Sequence, residues 1–87
     1  MVALSLRLAG HPNELEFELA DETFRPLIGE LRIVSPLLAA KLEDAVVVGT
    51  GALELDERDV EFVATAARVV AKGDLVHDPA LDRLGQL

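Results

Sequence analysis

Hydrophobic and polar positions alternate twice near the start of the chain. Val2, Leu4, Leu6 and Leu8 fall on one side of the first stretch, and Ala3, Ser5 and Arg7 on the other. Successive side chains of a strand point to opposite faces, so this is the pattern of a strand buried on one face. Leu15, Phe17 and Leu19 repeat it, with Glu14, Glu16 and Glu18 outward. Gly10-His11-Pro12-Asn13 between the two stretches is turn chemistry. Together they predict a β-hairpin with one apolar and one charged face. Arg7 is expected among the three glutamates across the pair.

The period then lengthens. Phe24, Leu27, Ile28, Leu31 and Val34 follow at helical spacing after the acceptors of Asp21-Glu22-Thr23. Pro26 fits this helix if Thr23 is its cap, which puts the proline in the first turn where no donor is needed. Gly29 lowers the helix preference by up to ~1 kcal/mol relative to alanine. Glu30-Leu31-Arg32-Ile33 also alternates, so a short strand over 30–34 competes with the helix, which the spacing favours. Ser35-Pro36 is a clearer start signal, a capping serine before a proline whose ring angle is preset. The helix it opens is predicted to run through Ala45, with the β-branched Val46-Val47-Val48 leaving it. Gly49-Thr50-Gly51 reads as a break, and Ala52-Leu53-Glu54-Leu55 as an extended edge to the hairpin. Asp56 caps the strongest helix, Glu57 to about Lys72, with Glu57 and Asp59 in the first turn and Gly73 as its stop. Asp78-Pro79 offers a cap for a last turn carrying Leu81 and Leu84. The expected fold is α+β: an antiparallel hairpin, with a third short strand drawn from 46–55, packed against about three α-helices in a single domain spanning 1–87.

The helix after Asp56 is apolar around much of its circumference. Val60, Val63, Ala64, Ala67, Val70 and Ala71 form one face, and Phe62, Ala66 and Val69 a second stripe beside it. Glu61, Thr65, Arg68 and Lys72 leave only a narrow polar stripe. An ordinary surface helix needs about 100° of apolar arc. Either the chain covers this helix on two sides, or Phe62, Ala66 and Val69 meet another molecule. The second account is preferred for so short a chain, and a second copy of the chain is the commonest such partner.

Composition narrows the field. The chain has 87 residues, 51% of them apolar types and 28% charged, a globular balance. Sixteen acidic residues against eight basic give a net charge of −8, which argues against nucleic acid or an anionic membrane as the partner. There is no cysteine, which removes disulfide scaffolds and thiolate metal sites. Tyr and Trp are also missing, which speaks against base or sugar stacking platforms. The apolar runs are too short to span a membrane, and Met1-Val2-Ala3-Leu4-Ser5-Leu6-Arg7 lacks the layout of a signal peptide, so the cytoplasm is the expected location.

Chemistry-bearing residues form no recognisable set. A nucleophile needs an adjacent base, yet Ser35 and Thr23 are better explained as caps, and the only histidines are His11 and His77. Asp74, His77, Asp78 and Asp82 are close in sequence, but a polar loop with Asp78 as a cap explains them better than a metal site. Gly49-Thr50-Gly51 matches neither a dinucleotide fingerprint nor a phosphate loop. No catalytic, cofactor-binding or metal-ligating residue is therefore assigned, and no cofactor is expected. The row Glu14, Glu16 and Glu18, continued by Asp21 and Glu22, is the natural acidic face, suited to solvation or to steering a basic protein. These features point to a non-enzymatic protein-interaction or regulatory module, self-associating as a homodimer, with an inhibitor or adaptor for a basic partner as one form of it. A small enzyme or ligand-binding domain with a site between protomers, and an accessory domain of a larger assembly, are the alternatives.

Overall fold

The computed structural model describes residues 1–48, 52–73 and 78–87. The chain runs β1 (Val2–Leu8), β2 (Leu15–Leu19), α1 (Asp21–Val34), α2 (Pro36–Val48), β3 (Leu53–Leu55), α3 (Glu57–Lys72) and α4 (Pro79–Gly85). The class is α+β, a three-stranded sheet of order β2-β1-β3 packed with four helices among the described residues. The predicted hairpin is present. β1 and β2 pair antiparallel with Leu4 opposite Phe17 and Leu6 opposite Leu15. His11 donates its backbone N–H to the Leu8 carbonyl at 3.0 Å, and Gly10 takes the turn with φ of 87°, a value that favours glycine. β3 lies on the other side of β1 and runs parallel to it, because α1 and α2 form the crossover between the hairpin and β3.

The alternation places side chains as expected along most of the hairpin. Leu4, Leu6, Phe17 and Leu19 are buried, while Glu16 and Glu18 are exposed opposite Ser5 and Ala3. Leu15 is the exception, 42% exposed at the turn end of β2. Arg7 is not among the hairpin glutamates. The pairing of β1 with β2 ends at Leu6–Leu15, and Arg7 instead faces Glu54 of β3 in register, its Nη2 2.7 Å from Oε2.

Two boundaries differ from the sequence expectation. α1 begins at Asp21 with Ala20 as its cap residue, so Thr23 is not the cap and Pro26 lies inside the helix. The proline's missing N–H leaves the carbonyl of Glu22, a solvent-exposed residue. Over 30–34 the preferred helix is the one observed, and the competing short strand is not. Leu27, Ile28 and Leu31 share one buried face, and that burial overrides the local alternation. α2 extends to Val48, so Val46 does not leave the helix and the third strand is confined to Leu53–Leu55. β-branching costs a helix only a few tenths of a kcal/mol, and Val46 packs against the core. Gly49-Thr50-Gly51 lies outside the described residues.

The remaining start signals operate as read. Ser35 Oγ accepts from the Leu38 N–H at 3.4 Å, and Asp56 Oδ1 from the Asp59 N–H at 2.8 Å. Asp78 does more than cap. Its Oδ1 accepts from the Ala80 N–H at 3.0 Å, while Oδ2 accepts from the Ala20 N–H at 3.2 Å and the Thr23 hydroxyl at 3.1 Å. Thr23 is the one buried polar side chain among the described residues, at 0% exposure. One carboxylate therefore satisfies the starts of α1 and α4 together. Asp78→Ala should lower stability by about 2–4 kcal/mol, from a lost cap plus a stranded hydroxyl. Thr23→Val, which removes the hydroxyl and leaves Asp78 its backbone donors, should cost about 1 kcal/mol. Urea unfolding at constant m-value checks both, and equal losses would contradict the shared-carboxylate account.

Candidate interaction surface

α3 owes its long apolar arc to two sets of small residues. Val63, Ala64, Ala66, Ala67 and Val70 are all buried, and α3 packs against both α1 and α4. The polar stripe Glu61, Thr65, Arg68 and Lys72 is exposed, as expected. Covering the helix on two sides within the chain is feasible because alanine lets neighbouring helices come close. At the α4 side, a Cβ added to Gly85 would sit 3.1 Å from Cγ of Arg68, so the approach there is tight.

The stripe singled out for docking divides accordingly. Ala66 is 4% exposed and belongs to the chain's own core. Phe62 is half-buried, packs against that core, and has the Arg58 guanidinium 5.7 Å from its ring centroid. Val69 is 45% exposed and is the member most open to another molecule. The structure thus places the three residues on one face but leaves mainly Val69 accessible.

The acidic row has a simpler geometry. Glu14, Glu16, Glu18, Asp21 and Glu22 are all exposed. Asp21 lies 3.7 Å from the amino group of Met1. Among the described residues the other four carboxylates form no salt bridge. Glu16 and Glu18 lie on the outward face of β2, Glu14 just before that strand and Glu22 in the first turn of α1, so all four present one sign of charge to solvent.

Among the described residues no three His, Asp or Glu side chains are placed to hold a metal ion. Asp74 and His77 lie outside the described residues, Asp78 serves the two helix starts, and Asp82 is exposed. His11 is exposed in the hairpin turn, and Ser5 and Thr65 stand on the sheet's outward face and the polar stripe of α3. Among the described residues no helix is long and apolar enough to cross a membrane.

Two features were not singled out from sequence. Ile33, Val34 and Leu37 are exposed by 76%, 49% and 68% around the joint between α1 and α2. The available signal was the doublet Leu37-Leu38 and the step from Leu31 to Ile33, since neighbours so spaced cannot share one helix face. Beside them an open groove is lined by Phe24, Arg25, Ile28, Arg32, Glu43 and Val46. Arg32 pairs with Glu43 across it.

No family model, curated protein or solved structure matches this chain. Its surfaces must be read from their own chemistry. Phe62→Glu should cost about 1–3 kcal/mol, because it places a charge against the core, whereas Val69→Glu should stay within about 0.5 kcal/mol of the parent. Thermal melts of the two variants check this, and a neutral Phe62→Glu would contradict the half-buried placement.

Proposed function

We propose that the chain is a non-enzymatic protein-interaction module that works as a homodimer. The observation that supports this reading is that three large aliphatic side chains of the helices, Ile33, Leu37 and Val69, are exposed by 76%, 68% and 45%. The core does not need these side chains outside it, and burying them in a partner gains roughly 25 cal/mol per Å². A second copy is the simplest partner, since one surface then serves both sides of the contact. In this reading the Phe62, Ala66 and Val69 stripe contributes through Val69 and the outer edge of Phe62. The reading assigns no cofactor, no nucleic acid and no membrane partner, and places the module in the cytoplasm. Sedimentation equilibrium across a wide concentration range should give a mass rising toward twice the 9.4 kDa of the chain. A mass that stays at one chain at the highest attainable concentration removes the reading.

The exposed acids support a second reading, an inhibitor or adaptor for a basic protein. Four carboxylates of one sign without a salt-bridge partner among the described residues create a field that speeds encounter with cations. Replacing Glu14, Glu16 and Glu18 together by glutamine should slow association with polylysine several-fold at low salt and flatten its salt dependence. Stopped-flow rates unchanged by the triple replacement would exclude the row as the steering surface.

A further inference from the structure

The sheet ends at β2 on one side, and the backbone along that edge is open. The Ala9 N–H donates to the Leu55 carbonyl at 2.7 Å, so odd-numbered positions of β1 turn their backbone groups toward β3 and even-numbered ones toward β2. Leu4 with Phe17, and Val2 with Leu19, are therefore the pairs that exchange hydrogen bonds within the hairpin. Glu16 and Glu18 turn their N–H and C=O groups the other way, to the outer edge. Ala20, next in that series, donates its N–H to Asp78 Oδ2 at 3.2 Å. Among the described residues the backbone groups of Glu16 and Glu18 have no hydrogen-bond partner. Free donors and acceptors along a sheet edge are a template for an extended chain.

We infer that β2 takes up an extended basic segment of a protein partner as a fourth strand of the sheet, with Lys or Arg at alternate positions. The inference rests on the reading of the chain as an inhibitor or adaptor for a basic protein, and it names how that partner is held. The backbone selects the extended form and the side chains select the charge. Glu16 and Glu18 stand on the outward sheet face, both exposed and without a salt bridge among the described residues. Directly opposed side chains of neighbouring strands lie about 5 Å apart, so cations at alternate positions of an added strand meet both carboxylates. Glu14, just before the strand, continues the same spacing.

The other face of β2 sets the positions in between. There Leu15 is 42% exposed, and the Arg83 guanidinium lies 5.0 Å from the centroid of the Phe17 ring. A cation turned to that face meets Arg83, so the intervening residues of the partner are uncharged. The edge thus selects alternation as well as positive charge. A second copy of β2 does not suit it, because like charges directly opposed across a strand pair are destabilising. β3, at the opposite edge, is only 3 residues long, and its Glu54 is held by Arg7 at 2.7 Å.

The test uses the full chain and a blocked, fluorescently labelled peptide of alternating lysine and threonine, with anisotropy as the readout. Glu16→Gln with Glu18→Gln should weaken binding roughly 5-fold. Alternate nitrogens of an added strand face β2, so N-methylation at the lysines and N-methylation at the threonines should differ in affinity by at least about 10-fold at equal charge. Amide exchange gives an independent readout. The peptide should slow exchange at Glu16 and Glu18 several-fold and leave Phe17, already bonded to β1, unchanged. Two methylated peptides that bind as well as the parent, with exchange at Glu16 and Glu18 unaltered, overturn strand addition and leave steering by the acids standing. Absence of binding by any of these peptides at low salt overturns both.

Discussion

The fold rests on a steric constraint at α3. Two helices, α1 and α4, pack against it, and its buried residues include Ala64, Ala66 and Ala67. Alanine adds little bulk beyond the backbone, so neighbouring helix axes can approach closely. A small chain has little material with which to enclose a helix, and small side chains on the enclosed face reduce how much it needs. Val63 and Val70 on the same helix are buried as well. The arc of α3 that seemed too wide for one chain to cover is thus largely covered by the chain itself.

Asp78 adds a polar tie to that apolar arrangement. Its carboxylate accepts from backbone groups of residues 20 and 80 and from the Thr23 hydroxyl. The contact joins segments more than fifty positions apart in sequence, and it closes α4 against the same part of the molecule where α1 begins. Leu81 and Leu84 are then held in the core by a helix of only 7 residues. Such a short helix has little stability of its own and depends on that anchoring.

Much of this arrangement was legible in the sequence, where one local rule acted without a competitor. Period two marked β1 and β2, and the caps Ser35, Asp56 and Asp78 marked three helix starts. Errors arose where a tertiary contact outweighed local preference. Thr23 resembled a cap, but its hydroxyl is spent on Asp78, which no local pattern could reveal. Arg7 seemed destined for the hairpin acids, but the parallel strand β3 supplied Glu54 in register. Val46 stayed helical because the core received it. For the interaction surface, the exposed acids were read directly from alternation. The stripe on α3 has one buried member, Ala66, one half-buried, Phe62, and one exposed, Val69, a division that residue type and spacing do not reveal. The exposure of Ile33 and Leu37 on either side of Ser35 escaped notice because it depends on where α1 ends and α2 begins.

The burial of Val63, Ala64, Ala66, Ala67 and Val70 makes α3 the most enclosed stretch of the fold's helical layer. Native-state hydrogen exchange measures that enclosure directly. Amides of α3 between Val63 and Val70 should be the slowest in the chain, exchanging with the free energy of global unfolding. Faster exchange there than in β1 or α1, at a free energy well below global unfolding, would show that α3 is not the enclosed centre of the fold.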